Sequence, residues 1–201
     1  MKRKYIAIVA AVCALFVTSC GGGWSAAEEE LINSSRMSRM RVTTVDNEAD
    51  SLLLRSECLP LTAREVASPI FGRLVASMVE SVNDPENRGV GIAAPQVGVL
   101  RRVVVVQRFD KAGTPFEVYV NPVIESYGEE WSVGSEGCLS VPGLRGEVRR
   151  ATSITLGWRD PVDFEPRREV IEGFTAVIFQ HEIDHLGGVL YTDRADSVIE
   201  E

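Results

Sequence analysis

Histidine is scarce in this chain. His181 and His185 are the only two in 201 residues, and they stand four apart. Any site that needs a third imidazole is excluded. Cysteine is nearly as rare, with four. Cations are outnumbered by acids, 21 to 29, for a net charge of −8. A nucleic-acid partner therefore has no general electrostatic support. No internal repeat is visible, and no apolar run is a comfortable length for a membrane span. What is present is ordinary: 45% hydrophobic and 25% charged residues, in a length that suits one domain with a real core.

The first twenty residues read as a separate object. Lys2, Arg3 and Lys4 are followed by an apolar stretch from Ile6 to Val17, a charge and length pattern that fits a signal peptide. Val17-Thr-Ser-Cys20 resembles a bacterial lipobox, in which the signal is cut before a cysteine that takes lipid. The expected organisation is a signal at 1–19, a flexible tether at 20–50 and a catalytic domain at 51–201. The implied address is a membrane-anchored lipoprotein facing the periplasm or cell exterior through a lipid on Cys20, with a cytoplasmic location as the alternative. Cys13 falls inside the signal, leaving Cys58 and Cys138. In an exported protein these two could form a disulfide, though Cys138 also suits a metal site.

Ser68 suits an N-cap and Pro69 a first helical position. Ile70, Leu74, Val75, Met78, Val79 and Val82 then mark one apolar face, predicting a helix to Val82. Val103–Val106 and Phe116–Val120 read as strands joined by a turn at Asp110–Gly113, the second ending at Asn121-Pro122. Ser153–Trp158 and Arg168–Ile171 read as two more. Phe174–Leu186 reads as a helix stopped by Gly187-Gly188. It is apolar on nearly every side before its histidines, so it should be buried, with sheet around it. The fold class expected is α+β.

Three stretches carry chemistry. "QHEIDHLGG" places His181 and His185 on one helix face, able to grip one ion, with Glu182 in reach of water at that ion. Zinc peptidases with this motif take a third ligand from a downstream Glu or His. Here only sixteen residues follow His185, with no further histidine. "GSEGCLSVPG" (134–143) offers Cys138, whose thiolate suits a site with two imidazoles. By itself a lone cysteine is more often a small buried hydrophobe. "GVGIAAPQVG" (89–98) is a poor dinucleotide motif, because it precedes a strand and is broken by Pro95. Its glycines suit close approach of a substrate backbone, and Gln96 supplies an amide donor.

In this order and spacing the three stretches resemble the signature motifs of the peptide deformylase family, from about Leu54 to Arg194. Val120-Asn-Pro122 and Gly188–Arg194 add to the likeness. The resemblance implies antiparallel sheets wrapped around a central C-terminal helix that carries HExxH. It implies removal of formyl from N-formylmethionyl peptides at the start of new chains, by a monomer. Cys138, His181 and His185 would hold the metal, Fe(II) by preference, with Zn, Ni or Co possible. Glu182 would be the general acid/base, and Gln96 with the Leu139 N–H the oxyanion hole. Val90, Gly91 and Gly137 would flank the substrate backbone, with Phe174 and Val177 at the methionine pocket. Arg150 and Asp184 correspond to a structural ion pair. The rival readings are an exported HExxH peptidase, an amidase with another substrate, and a lipoprotein that binds metal or formyl peptides without turnover.

Overall fold

A computed structural model describes residues 23–35, 38–85 and 89–200. The expected signal and Cys20 lie outside the described residues. Four helices come first: α1 (Ala26–Ser34), α2 (Glu48–Leu54), the single turn α3 (Ala63–Val66) and α4 (Pro69–Val82). Seven strands follow: β1 (Gly91–Ala93), β2 (Val103–Gln107), β3 (Phe116–Tyr127), β4 (Trp131–Cys138), β5 (Val141–Ala151), β6 (Ser153–Arg159) and β7 (Pro166–Glu172). Helix α5 (Gly173–Leu186) and strand β8 (Ala195–Glu200) complete the order.

The strands form two antiparallel sheets, β1-β2-β3-β6-β7 and β4-β5-β8. Strand β2 shows why the larger sheet is central. Val103 and Val105 pack with Leu74, Met78 and Ile92 on one face, while Val104 and Val106 pack with Ala176, Phe179 and Leu186 on the other. The two-residue period of a strand sends alternate valines to opposite faces. All four are fully buried because helices cover both sides. Helix α5 touches strands of both sheets, including β1, β2 and β5. The α+β expectation and the C-terminal helix among antiparallel strands are therefore borne out.

Local chemistry sets most boundaries. Ser68 caps α4 by accepting from the Phe71 N–H, with Pro69 at the first turn. Gly188, just past α5, has φ 71° and passes so close to Arg55 that a Cβ would sit 2.4 Å from the Arg55 carbonyl oxygen. Only glycine meets both demands. Strand β3 does not end at Asn121-Pro122 as expected. Asn121 takes φ 50°, the register shifts between Val120 and Val123, and the strand runs on to Tyr127. The Asn121 side chain stands in for a neighbouring strand, exchanging two 2.8 Å hydrogen bonds with the backbone of Leu61.

Residues 23–50 need the largest correction. They are not a loose tether in the described parts. Ser25 and Glu28 form a capping box on α1, which packs on α4 with Ile32 fully buried. Arg101 ties the helix down, donating from Nε to Glu28 (2.6 Å) and from Nη1 to Glu65 (2.8 Å), with Trp24 beneath its guanidinium. Further on, the Thr43 N–H donates to the Gln96 carbonyl (2.8 Å) and the Val45 N–H to the Ser140 carbonyl (2.9 Å). The domain therefore begins well before residue 51. Arg101→Ala would strand the buried Glu65 carboxylate without its cation. It should cost ~3–5 kcal/mol of unfolding free energy, read from urea denaturation.

Candidate metal centre and its cleft

The ligand cluster is assembled from two elements. Helix α5 presents His181 and His185 one turn apart, and the end of β4 presents Cys138. One ligand atom from each lies within 4.8 Å of the others. The Cys138 Sγ is 3.3 Å from His185 Nε2. Burial alone would raise the Cys138 thiol, but the facing imidazoles of His185 and His181 pull it well below the usual thiol range. Burial would likewise lower His181, but Cys138 and Glu136 lift it well above the usual imidazole value. A thiolate beside two imidazoles is the donor set for a divalent metal with a fourth position open. The chemistry of these three donors fits the expected metal.

Glu136 was missed by the sequence reading, although it stands in "GSEGCLSVPG". Its carboxylate lies 2.8 Å from His181 Nδ1, leaving the other ring nitrogen for an ion. Its place two residues before Cys138 was the only signal available, since the strand register shifts between the two residues. Burial works against its charge, but His181 and Arg150 hold it ionised, with a pKa of about 2. Arg150 donates to both Glu136 oxygens (2.8 and 3.0 Å) and also to Asp184, which in turn accepts two bonds from Arg194. This chain of charges fixes α5 against the β4–β5 hairpin. The Arg150–Asp184 pair was expected, but its extension to Glu136 and Arg194 was not.

Glu182 sits on the face of α5 turned to the cleft. Burial pushes its carboxyl up to about 7. Its Oε2 is buried with no hydrogen-bond partner, as is Nδ1 of His185. Gly91 leaves room for this side chain, because a Cβ there would lie 2.5 Å from Glu182 Oε1. Gln96 is oriented by its carbonyl, which accepts from the Ala93 N–H at 2.8 Å. That turns its amide N–H groups toward Cys138 Sγ (3.5 Å) and Ser140 (3.3 Å).

A cleft of about 960 Å³ opens over these groups. Val90, Gly91, Gln96, Gly137, Cys138, Leu139, Phe174, Val177, His181 and Glu182 all reach it, so the structure brings the expected site residues together. His185 lies beneath, almost fully buried. Strand β1 is the edge of its sheet and β4 the edge of the other, so the cleft runs between two unpaired strand edges. Arg39, Met40, Arg41, Val42 and Thr44 form part of the rim. That segment falls within the stretch expected to be a tether.

Comparison with known proteins agrees with this geometry. The polypeptide deformylase family matches residues 39–200. A peptide deformylase of Leptospira biflexa is 40% identical over 152 residues, covering 72% of this chain and 83% of that protein. Peptide deformylase 2 of Xanthomonas campestris is 39% identical over 141 residues, covering 70% and 79%. Among solved structures, the Met-Ala-Ser-bound class I type b peptide deformylase of Acinetobacter baumannii superposes with a TM-score of 0.67 at 33% identity, covering 78% of this chain and 98% of that one. The peptide deformylase of Thermotoga maritima gives a TM-score of 0.68 at 31% identity, covering 79% and 99%.

Proposed function

The chain belongs to the peptide deformylase family, and from that premise we propose how its own residues perform the family's reaction. It is a hydrolase that removes the N-formyl group from nascent formylmethionyl peptides with the help of a bound metal. The observation that carries the reading is the convergence of Cys138, His181 and His185 beside the buried, unpartnered Glu182 oxygen, under a cleft edged by β1 and β4.

Cys138, His181 and His185 hold the metal in this proposal, Fe(II) by preference, with Zn, Ni and Co as substitutes. When bound, a divalent ion there supplies Lewis acidity, polarising the formyl carbonyl and making water acidic enough to attack near neutral pH. Glu182 takes a proton from the attacking water on its free oxygen and returns it to the departing amine. Formate and a free amino terminus leave. The Gln96 amide and the Leu139 N–H face the carbonyl oxygen as negative charge gathers on it, where one such donor is typically worth ~3–4 kcal/mol. Val90 and Gly91 on one side and Gly137 on the other pair with the extended substrate backbone. Phe174 and Val177 receive the first side chain.

Membership also corrects the address. The relatives from Leptospira biflexa, Roseiflexus and Desulforudis audaxviator that match this chain are peptide deformylases. The family's substrate, the formylated start of a new chain, is made in the cytosol. The expectation of an exported lipoprotein anchored through Cys20 is withdrawn. Among the described residues no helix is long and apolar enough to cross a membrane.

The deciding assay is formate release from formyl-Met-Ala-Ser by metal-loaded protein, with free amine and internal cleavage products measured in the same reaction. Formate and amine in equal amounts are expected. Internal fragments without formate would replace the reading with a peptidase. Stoichiometric peptide binding without either product would leave a binding protein. Gly91→Ala provides a geometric check. The added methyl must displace the Glu182 carboxylate, and a misplacement of about 1 Å costs on the order of 10²-fold in kcat. A Gly91→Ala protein with parental kcat would show that Glu182 does not need that space.

A further inference from the structure

A second cavity, of about 330 Å³, adjoins the main cleft. It lies between the first turns of α5 and the β4–β5 hairpin. Both spaces are bounded by Ser135, Glu136, Phe174 and Val177, so they are neighbours with a shared wall. The register explains why this space exists. Ser132, Gly134 and Glu136 alternate onto one face of β4, and Gly134 pairs with Val148 of β5. Glu136 bonds to His181, so that face is turned to α5. At Gly134 the face carries no side chain, and an added Cβ would meet nothing within 4 Å. The gap has room for roughly ten waters at ~30 Å³ each.

The lining selects an occupant. Gly134, Val148, Gly173, Phe174 and Val177 offer carbon surface, while Ser132, Ser135 and Thr152 add uncharged hydroxyls. The charged groups in the wall are already satisfied, since Arg150 donates twice to Glu136. No free charge is left to hold an ionic ligand. Phe174 and Val177 also border the place proposed for the first side chain of the substrate. A side chain that outgrows that place meets this second space next.

We propose that the side chamber extends the first-residue pocket, so that the enzyme accepts linear, uncharged first side chains longer than that of methionine, and that Gly134 determines this tolerance. The inference rests on the deformylase reading above. A β-branched residue at 134 suits a strand and would fill the chamber.

The test is a length series, formyl-X-Ala-Ser, where X is methionine, norleucine, 2-aminooctanoate or 2-aminodecanoate. For the parent protein, kcat/KM should stay within about threefold of the methionine peptide across the series. For Gly134→Ile, the methionine peptide should stay within about threefold of parent while the two longest fall at least tenfold, the low end of the ~10–200-fold that hydrophobic pockets discriminate. A tenfold or greater fall beyond norleucine in the parent would overturn the proposal without any variant. An identical length profile in parent and Gly134→Ile would overturn it too. No formate from the methionine peptide in the parent would instead bring down the deformylase reading itself, and this inference with it.

Discussion

Glu182→Gln should release formate about 10²–10⁴-fold more slowly than the parent while keeping its metal. The substitution preserves volume and a polar head but removes the ability to take and return a proton. Glu182 is not one of the three clustered ligand residues, so metal content measured on the same sample should be unchanged. The loss should fall on kcat with little change in KM, since the interaction is made with the proton in flight and not with the resting substrate. The side chain is well placed for that task. Its Oε1 rests against Gly91, its Oε2 has no competing partner, and the surrounding burial favours a carboxyl that can exist in both forms near neutral pH. Turnover within tenfold of the parent would remove Glu182 from the proton path. Loss of metal would make it a ligand instead.

Cys138→Ala should lose tight metal binding, and activity with it. Two imidazoles would remain, and the only thiolate in the cluster would be gone. Removing a group that merely supports a ligand costs ~10–100-fold in affinity or activity, so deleting a ligand should exceed that range. The effect would reach further, because His181 would lose the thiolate among its negative partners and keep the carboxylates of Glu136 and Glu182. The check is metal content after dialysis against a mild chelator, alongside formate release. A metal-loaded, active Cys138→Ala protein would end the proposal of Cys138 as third ligand.

Much of this is legible in the sequence alone. Helix α4 announced itself through Ser68, Pro69 and a regular apolar face, and it forms where those signals put it. The valines of β2 were read as a strand and are buried on both faces. The Cys138, His181 and His185 cluster is what the resemblance of three spaced motifs to the deformylase family implies; the surroundings of Cys138 in the sequence do not single it out. The β4–β5 hairpin was harder to see. Trp131–Cys138 is rich in Ser and Gly and mostly exposed, so no apolar alternation marks it. Its inward face holds a buried ion pair and a chamber where a packed strand would carry hydrophobes. Helix α1 was hidden for a related reason. It is held by its capping box and by Arg101, seventy-three residues beyond Glu28, and a long-range ion pair leaves no periodic trace.

The two strand edges beside the cleft have a consequence for what can enter. A chain end needs only a short run of main chain to dock, and β1 offers three residues before the backbone turns away into a 3₁₀ turn at Ala94. A strand inside a folded protein comes with neighbours on both sides and cannot lie down on so brief a ledge. Hydrogen bonds to the main chain are also owned by every polypeptide alike. The cleft is therefore built to be indifferent to the message and attentive to its first letter.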